Sequence, residues 1–203
     1  DYQIKLKEEH LSSLMGPLQP SQWAKPINVN SYFYRTRARL GVKYVEKKAR
    51  VLIGFREKLK SYITDMECCP IMIERASEML APLSKTVQEL SIRKSLPQIE
   101  VVAGDSQMAL IFRHLEPLTE ADEQALASFS KRFDIGVFLQ SGGPKTIKKL
   151  FPKDLKEDFF YELPDFNLRL SFSLGDFTQI NLEANRHLVN SVISLLDLKK
   201  EDR

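Results

Sequence analysis

Three arginines recur at alternate positions near the start of the chain, where their guanidinium groups could bind a polyanion. They are Arg35, Arg37 and Arg39. Alternate side chains of a β-strand share one face, so this spacing predicts a row of guanidinium groups on one surface of a sheet. A planar guanidinium can donate two hydrogen bonds to one phosphate group. The row therefore suits contact with nucleic acid, and a solvated face that discourages aggregation explains it equally well.

The segment from Arg35 to Lys60 concentrates the positive charge of the chain. It holds ten basic and two acidic residues, a net charge of +8, whereas the whole chain of 203 residues carries +3. The remaining residues therefore sum to −5. Charge of one sign gathered in one place is how a protein attracts a polyanion. The aromatic residues at 32–34 could stack on exposed bases beside it.

A second group with chemical potential is Cys68-Cys69-Pro70. A thiolate at the start of a helix is stabilised by the helix dipole and can ligate a metal. Iron–sulfur clusters take four cysteines and zinc takes four donors, and none of the three histidines shows ligand spacing to Cys69. On the residues alone, buried structural thiols fit better than a metal site. Two adjacent cysteines make no disulfide framework, so a reduced, cytoplasmic setting is expected.

The third group is the segment 176–181, between a predicted strand and the last predicted helix. Free N–H groups at a helix N-terminus can hold an anionic or polar ligand. Phe177 could be an exposed stacking ring and Gln179 an amide that fixes a ligand. The competing interpretation places Phe177 in the core and leaves Asn181 as a helix cap. The sequence contains no glycine-rich phosphate loop and no paired His and Glu metal signature, so no complete active site is recognised.

The elements that must position these residues follow from hydrophobic periodicity and turn signals. Helices are predicted at 1–17, at 70–91, from Thr119 onward and at 182–196. Strands are predicted at 32–45, 49–56, 60–66, 98–104, 107–114, 135–140, 145–151, 157–163 and 167–173. A capping box is expected at Thr119, and Pro82 predicts a kink or break in the second helix.

Short turns join most neighbouring strands, and strands and helices do not alternate regularly. The predicted fold class is therefore α+β, a largely antiparallel sheet with flanking helices, and not a doubly wound parallel sheet. No window carries 18 uninterrupted apolar residues, so no membrane span is expected. The chain does not begin with Met, which suggests a piece of a longer protein.

An ordered set of short motifs resembles the RNA (uracil-5-)-methyltransferases that use S-adenosylmethionine, in particular the bacterial iron–sulfur members that act on 23S ribosomal RNA. In chain order the motifs are Arg37–Leu40, Gly54–Arg56, Cys69–Ile71, Phe112–His114 with Pro117-Leu118, Leu168–Phe172 and Asp176–Asn181. Each motif alone is weak. Their order and spacing, which follow those of the family over nearly the whole chain, make the resemblance specific.

The resemblance implies the central domain of such an enzyme. Residues 1–18 would be a helix that follows a cluster-binding loop, 19–176 the central α+β domain, and 177–203 a junction and helix that lead into a methyltransferase domain. The parent would use S-adenosyl-L-methionine and a 4Fe-4S cluster, with Cys69 as the fourth cluster ligand. Neither group is expected to bind this fragment alone.

The family's site residues carry over only where its motifs match. The resemblance implies that Gln179 contacts S-adenosylmethionine, that Phe177 stacks in the RNA-filled site and that Arg39 contacts RNA. Arg35 and Arg37 join the RNA-binding set because they share the predicted strand face. The nucleophile and the general base are expected beyond the end of the chain, so no catalytic residue is assigned. Ribosomal RNA is the expected partner, with no membrane and no obligate protein partner.

Two other functions remain possible on the residues alone. A stand-alone RNA-binding module without catalytic function would explain the basic segment equally well. A metal or redox protein that uses Cys68 and Cys69 is disfavoured by the number of ligands.

Overall fold

The computed structural model describes residues 2–18 and 20–199. The chain divides into two compact units, one formed by Ser31–Leu182 and the other by the two terminal segments. All the candidate site residues named above lie in the first unit. In the described ranges, no helix is both long enough and apolar enough to cross a membrane. The boundaries at 18 and 176 inferred from the resemblance stay a prediction.

The described part of the unit Ser31–Leu182 is built on a sheet of six strands. They are β1 (Arg37–Val45), β2 (Arg50–Gly54), β3 (Gln98–Ala103), β4 (Met108–Arg113), β5 (Gly136–Gln140) and β6 (Ile147–Phe151). Their order across the sheet is β2-β1-β3-β4-β5-β6. Neighbours are antiparallel except β4 and β5, which are parallel. The predicted α+β class with a largely antiparallel sheet is confirmed.

Two further strands and three helices complete this unit. The strands β7 (Phe160–Leu163) and β8 (Leu168–Ser171) pair antiparallel as a separate ribbon. The helices are α2 (Glu74–Glu78), α3 (Leu80–Glu89) and α4 (Glu120–Phe133). Helix α4 connects β4 to β5, which explains why these two strands are parallel: a parallel pair needs a crossover connection.

The terminal unit contributes two helices to the described residues, α1 (Tyr2–Met15) and most of α5 (Leu182–Leu196). No described residue of α1 is buried. Its apolar residues Leu6, Leu11 and Leu14 are all exposed. Within the described residues, these three side chains are therefore largely exposed to solvent.

The main hydrophobic core lies between one face of the sheet and the helices α2, α3 and α4. Strand residues such as Leu40, Ile99 and Phe112 are fully buried there against α3 residues such as Leu83 and Val87. Alternation along β1 sends Leu40 and its even-numbered neighbours inward, as its period-two pattern predicts. Each such aliphatic or aromatic side chain contributes about 1.5–3 kcal/mol on burial.

The opposite face of the sheet is divided into an apolar half and a polar half. A second, smaller core covers the apolar half, where Val102, Ile111 and Phe138 pack against Phe159 and Leu174. The other half carries the side chains that form the polar half-face, namely Arg37, Arg39, Gln98, Glu100, Arg113 and Gln140. Of the candidate arginines, Arg37 and Arg39 therefore lie on the face that the helices leave uncovered.

The predicted strand at 60–66 does not form. Only Ile63 pairs there, in an isolated bridge with Arg56. The segment nevertheless runs beside the end of β2, since the amides of Thr64 and Met66 donate to the carbonyls of Phe55 and Ile53 at 2.9 and 3.0 Å. The return bond is missing because the amide of Ile53 donates to the side chain of Asp65 at 3.3 Å, so no regular two-way ladder forms.

The predicted helix at 70–91 is two helices, α2 and α3, which meet at Met79. Pro82 lies in the first turn of α3, where a helix needs no N–H donor from it. The break therefore falls three residues before the proline, and not at it.

The predicted capping box at the start of α4 is present. The amide of Asp122 donates to Thr119 Oγ1 at 3.2 Å, and the amide of Thr119 donates to Asp122 Oδ2 at 2.9 Å. The Asp122 carboxylate also accepts hydrogen bonds from the amide and hydroxyl of Ser91, at 2.7 and 2.5 Å. Burial raises the pKa of Asp122, but these hydrogen bonds outweigh burial and lower the pKa below its ordinary 3.8.

This lowered pKa makes a testable contribution to stability. Folding favours the ionised Asp122, so its contribution is present above the unfolded-state pKa of about 3.9 and is lost as the pH falls through the lower folded-state value. Asp122→Asn should therefore reduce the free energy of unfolding near neutral pH by about 1–3 kcal/mol, and by less at low pH. Urea denaturation near neutral pH and near pH 3 measures both effects.

Asp154→Asn, at an exposed aspartate, is the matched control and should change stability little at either pH. An equal loss of stability by Asp122→Asn at both pH values would contradict the account.

A candidate nucleic-acid interface on the open face of the sheet

Arg37 and Glu100 form the ion pair at the centre of the polar half-face. Arg37 Nε donates to Glu100 Oε1 at 2.7 Å, and the two side chains are only 13% and 8% exposed. Arg37 Nη2 also donates to the carbonyl of Leu174 at 2.6 Å, and Nη1 donates to the carbonyl of Asp176. Arg37 therefore holds the segment 174–176 against the sheet.

Arg39 shares the same carboxylate but faces solvent. Its Nε lies 3.3 Å from Glu100 Oε2, and its side chain is 72% exposed. One hydrogen bond uses one of the five donors of a guanidinium, so Arg39 keeps donors for a ligand. Of the three predicted arginines, Arg39 has the geometry best suited to bind a phosphate group.

Arg35 lies just before β1 in a third environment. Its guanidinium carbon is 5.8 Å from the centre of the Phe55 ring, and its Nη1 is 3.4 Å from the carbonyl of Arg37. Its Nε is buried and has no hydrogen-bond partner within the described residues. The predicted row of three equivalent guanidinium groups is thus one exposed group and two that are held by the fold.

The segment that carries Phe177 and Gln179 alternates between inward and outward residues. Thr178 is buried, and the carbonyl of Ile180 accepts a hydrogen bond from the amide of Thr36 at 2.9 Å. Phe177 is 84% exposed and the Gln179 side chain is also exposed. The structure therefore places Phe177 outside the core, where its ring is free to stack on a ligand.

The two cysteines occupy different environments. Cys69 is buried and its amide donates to Ser77 Oγ at 2.8 Å, whereas Cys68 is exposed. Across residues 2–18 and 20–199, no group of three or more His, Cys, Asp or Glu side chains is arranged to hold a metal ion. One buried thiol does not fit an iron–sulfur cluster without further ligands. The assignment of Cys69 as a cluster ligand stays a prediction.

Arg113 belongs to the polar half-face and to one of the family motifs, but no role was predicted for it. It pairs with Gln98 on β3 and with Gln140 on β5, so the three side chains form a line across the sheet, here called the Gln–Arg–Gln row. A cavity of about 280 Å³ lies over this row and beside Arg39. The signal that was available is the alternation of buried Phe112 with exposed Arg113 at the end of β4.

Comparison with known proteins gives consistent matches over nearly the whole chain. The 23S rRNA (uracil(1939)-C(5))-methyltransferase RlmD of Hahella chejuensis is 42% identical over 199 residues, which cover 96% of this chain and 44% of that protein. RlmD of Legionella pneumophila (strain Corby) is 38% identical over 204 residues, covering 98% of this chain and 46% of that protein. RlmD of Nitrosospira multiformis is 42% identical, covering 98% and 45%.

One solved structure shows the same fold. It is the Pyrococcus abyssi tRNA (uracil-54, C5)-methyltransferase in complex with S-adenosyl-L-homocysteine, with a TM-score of 0.70 over 96% of this chain and 48% of that chain. The sequence identity is 19%, so this likeness concerns the fold alone. No model of a protein family matches the chain.

The chain spans about 45% of the length of the curated relatives it matches. The alignments, at 38–42% identity, cover 96–98% of this chain. They therefore include strands that carry the polar half-face. The chain is therefore homologous to a segment of the 23S rRNA (uracil-C5)-methyltransferases named RlmD.

Proposed function

We propose that this chain is the RNA-contacting segment of a cytoplasmic 23S ribosomal RNA (uracil-C5)-methyltransferase. The parent enzyme would transfer a methyl group from S-adenosylmethionine to C5 of a uracil. The observation that carries the proposal is the match to the RlmD relatives, 42% identical across 96% of the chain for one of them. The exposed Arg39 within a segment of net charge +8 supports RNA as the ligand of this piece.

The polar half-face and the Phe177 segment are parts of one surface. Arg37 donates to the carbonyl of Asp176, the residue before Phe177, and Arg39 follows Arg37 on the same strand face. This one guanidinium therefore connects the strand that carries Arg39 with the segment that carries the exposed ring. In the proposal, Arg39 binds the RNA backbone, Phe177 stacks on a base, and Arg35 and Arg37 add positive charge behind them.

The chemistry of the parent requires groups that we do not assign to this chain. Uracil C5 is a poor nucleophile, and the family is expected to attack C6 with a cysteine thiolate, so that the resulting enolate can accept the methyl group at C5. A base then removes the C5 proton and the cysteine is expelled. The target base must leave its stack to reach such a site.

Neither cysteine of this chain suits the role of that nucleophile. Cys69 is buried, with its amide bonded to Ser77 Oγ, and Cys68 has no base partner at a recognised motif spacing in the sequence, so the chain is proposed to position RNA. Gln179 is the residue proposed to contact S-adenosylmethionine, which supplies the methyl group when it is bound. A single exposed amide would need a neighbouring surface to complete such a site.

Arg39→Ala in the full-length parent is the direct test of RNA contact. Loss of one phosphate contact should weaken RNA binding at every sequence and reduce the slope of log K against log salt by about one. Fluorescence anisotropy across a series of salt concentrations measures the slope. An unchanged slope would assign Arg39 a structural role. Lys85→Ala, at an exposed lysine on the helical side of the sheet, should leave the slope unchanged.

Arg37→Ala should behave differently from Arg39→Ala in stability. Removing Arg37 leaves the buried Glu100 carboxylate without its closest partner and frees two carbonyls, so the free energy of unfolding should fall by roughly 3 kcal/mol. Arg39 is exposed, and its removal should cost less than about 1 kcal/mol. Urea denaturation of both variants makes the comparison. Equal losses would contradict the division of roles between the two arginines.

The isolated chain should show no methyl transfer. Incubation with methyl-labelled S-adenosylmethionine and ribosomal RNA, with the full-length parent as the positive control, measures incorporation into RNA. Turnover by the isolated chain would contradict the proposal that the nucleophile lies elsewhere in the parent.

A stand-alone RNA-binding module is the second candidate, and the concentrated positive charge favours it equally. The coding sequence on either side distinguishes the two. A spaced cysteine triplet before this segment and an Asp-x-Phe-Cys-Gly-type strand and loop after it would support the methyltransferase. Unrelated flanking sequence would support the module.

A further inference from the structure

We propose that the Gln–Arg–Gln row and Arg39 form a pocket for one unstacked RNA nucleotide. Gln98, Arg113 and Gln140 are assigned no role by the family resemblance or by the comparisons. The inference rests on the proposed function, because it assumes that RNA meets this face of the sheet. It adds a site where the identity of one base affects the affinity for RNA, in addition to the general attraction between the protein and the RNA backbone.

The register of the sheet brings the three side chains together. Gln98 pairs with Arg113 across β3 and β4, and Arg113 pairs with Gln140 across β4 and β5. Directly paired residues project from the same face, and neighbouring strands lie about 4.8 Å apart, so the row spans about 10 Å. The row therefore presents amide, guanidinium and amide groups over a length suited to one nucleotide.

A cavity gives this row a definite shape. Its volume is about 280 Å³, and its wall includes the loop Gly142–Pro144 and the Leu174-Gly175 segment. This volume lies just below the usual range of small-ligand pockets, which begins at about 300 Å³. The cavity can thus take a single extruded base with part of its backbone, and not a base pair.

A glycine of β1 lies beside Gln98, at one end of the row. Gly41 pairs with Gln98, and a Cβ atom at Gly41 would lie 2.9 Å from Ile63 Cδ1 and 3.4 Å from Arg56 Cγ. The side chains of Ile63 and Arg56 therefore cross directly over Gly41. They cover the sheet beyond Gln98, next to the residues that line the cavity.

The charges around the cavity favour an anionic ligand. Three arginines line it, and Glu100 is its one acidic side chain among the described residues. That carboxylate is already shared by Arg37 and Arg39. Arg113 is exposed and forms no ion pair in the described ranges. Its guanidinium is therefore available to a phosphate or to the acceptor edge of a base.

The two amides distinguish a nucleotide from a simple anion. A glutamine side chain offers both a donor and an acceptor, which match the mixed edges of a nucleobase, whereas a fully ionised phosphate can use only the donor. Both Gln98 and Gln140 are half-buried at the row, so their amides have limited freedom. The pocket should consequently prefer some bases over others.

The test uses the full-length parent and four fluorescein-labelled single-stranded RNA decamers, each made of one base. Arg113→Ala should weaken binding of all four by roughly tenfold. The double variant Gln98→Ala/Gln140→Ala should remove most of the difference in affinity between the decamers. Gln140→Glu keeps the shape of the side chain and adds a negative charge, so it should weaken all four without creating a cavity. Lys85→Ala is the matched control.

The outcomes separate this inference from the proposed function. If Arg39→Ala reduces the salt slope while the Arg113 and Gln140 variants bind like Lys85→Ala, the nucleotide pocket is wrong and RNA contact stands. If the wild-type parent binds no decamer, both are wrong. If inorganic phosphate at a concentration matched to the decamer's phosphates displaces the decamers fully, the site is an anion site and the inference is overturned.

Discussion

The partly buried pair between Arg37 and Glu100 is the interaction on which the open face of the sheet depends. A charge so far removed from water must be compensated by an opposite charge and by hydrogen bonds. Arg37 and Glu100 bind each other, and each also has further hydrogen-bond partners. Arg37 is neutralised by Glu100 and also donates to two carbonyls of the 174–176 segment. Glu100 in turn accepts a hydrogen bond from Nε of Arg39, and the rest of that guanidinium is exposed to solvent. One carboxylate thereby organises both the fold and the exposed charge.

This arrangement follows from an unequal covering of the two faces of one sheet. The helices bury most of one face, whereas on the other face the apolar core ends at Ile111 and Phe138. Beyond that boundary the loop 142–144 and the segment 174–176 border the sheet without adding an apolar layer, and the side chains there are polar and bonded to one another or open to solvent. The polar half-face is thus a consequence of the topology. Its positive charge and its cavity make it suited to binding an anionic ligand. RNA, with phosphates and unstacked bases, has the chemistry that this surface can bind.

The sequence predicted features that depend on neighbouring residues, but not features that depend on which strands pair. Alternation along β1 was predicted correctly because a strand has a fixed period of two, and the capping box at Thr119 was predicted because it needs only four residues. Glu100 could not be identified as the partner of Arg37, since the two are 63 positions apart and register is set by the whole sheet. The Gln–Arg–Gln row, drawn from three strands, was missed for the same reason. The segment 60–66 was predicted as a strand because its sequence does not show that the Asp65 side chain takes the place of a backbone partner for Ile53.

The central claim, that RNA binds the polar half-face, is tested most directly by nitrogen-15 NMR of side chains during titration with single-stranded RNA. The account predicts that the Nε–Hε signals of Arg39 and Arg113 and the amide signals of Gln98 and Gln140 shift together. The Nε–Hε signal of Arg75, on helix α2 against the other face, should stay unchanged. Shifts confined to Arg75 and the helical layer, with the polar half-face unaffected, would contradict the account.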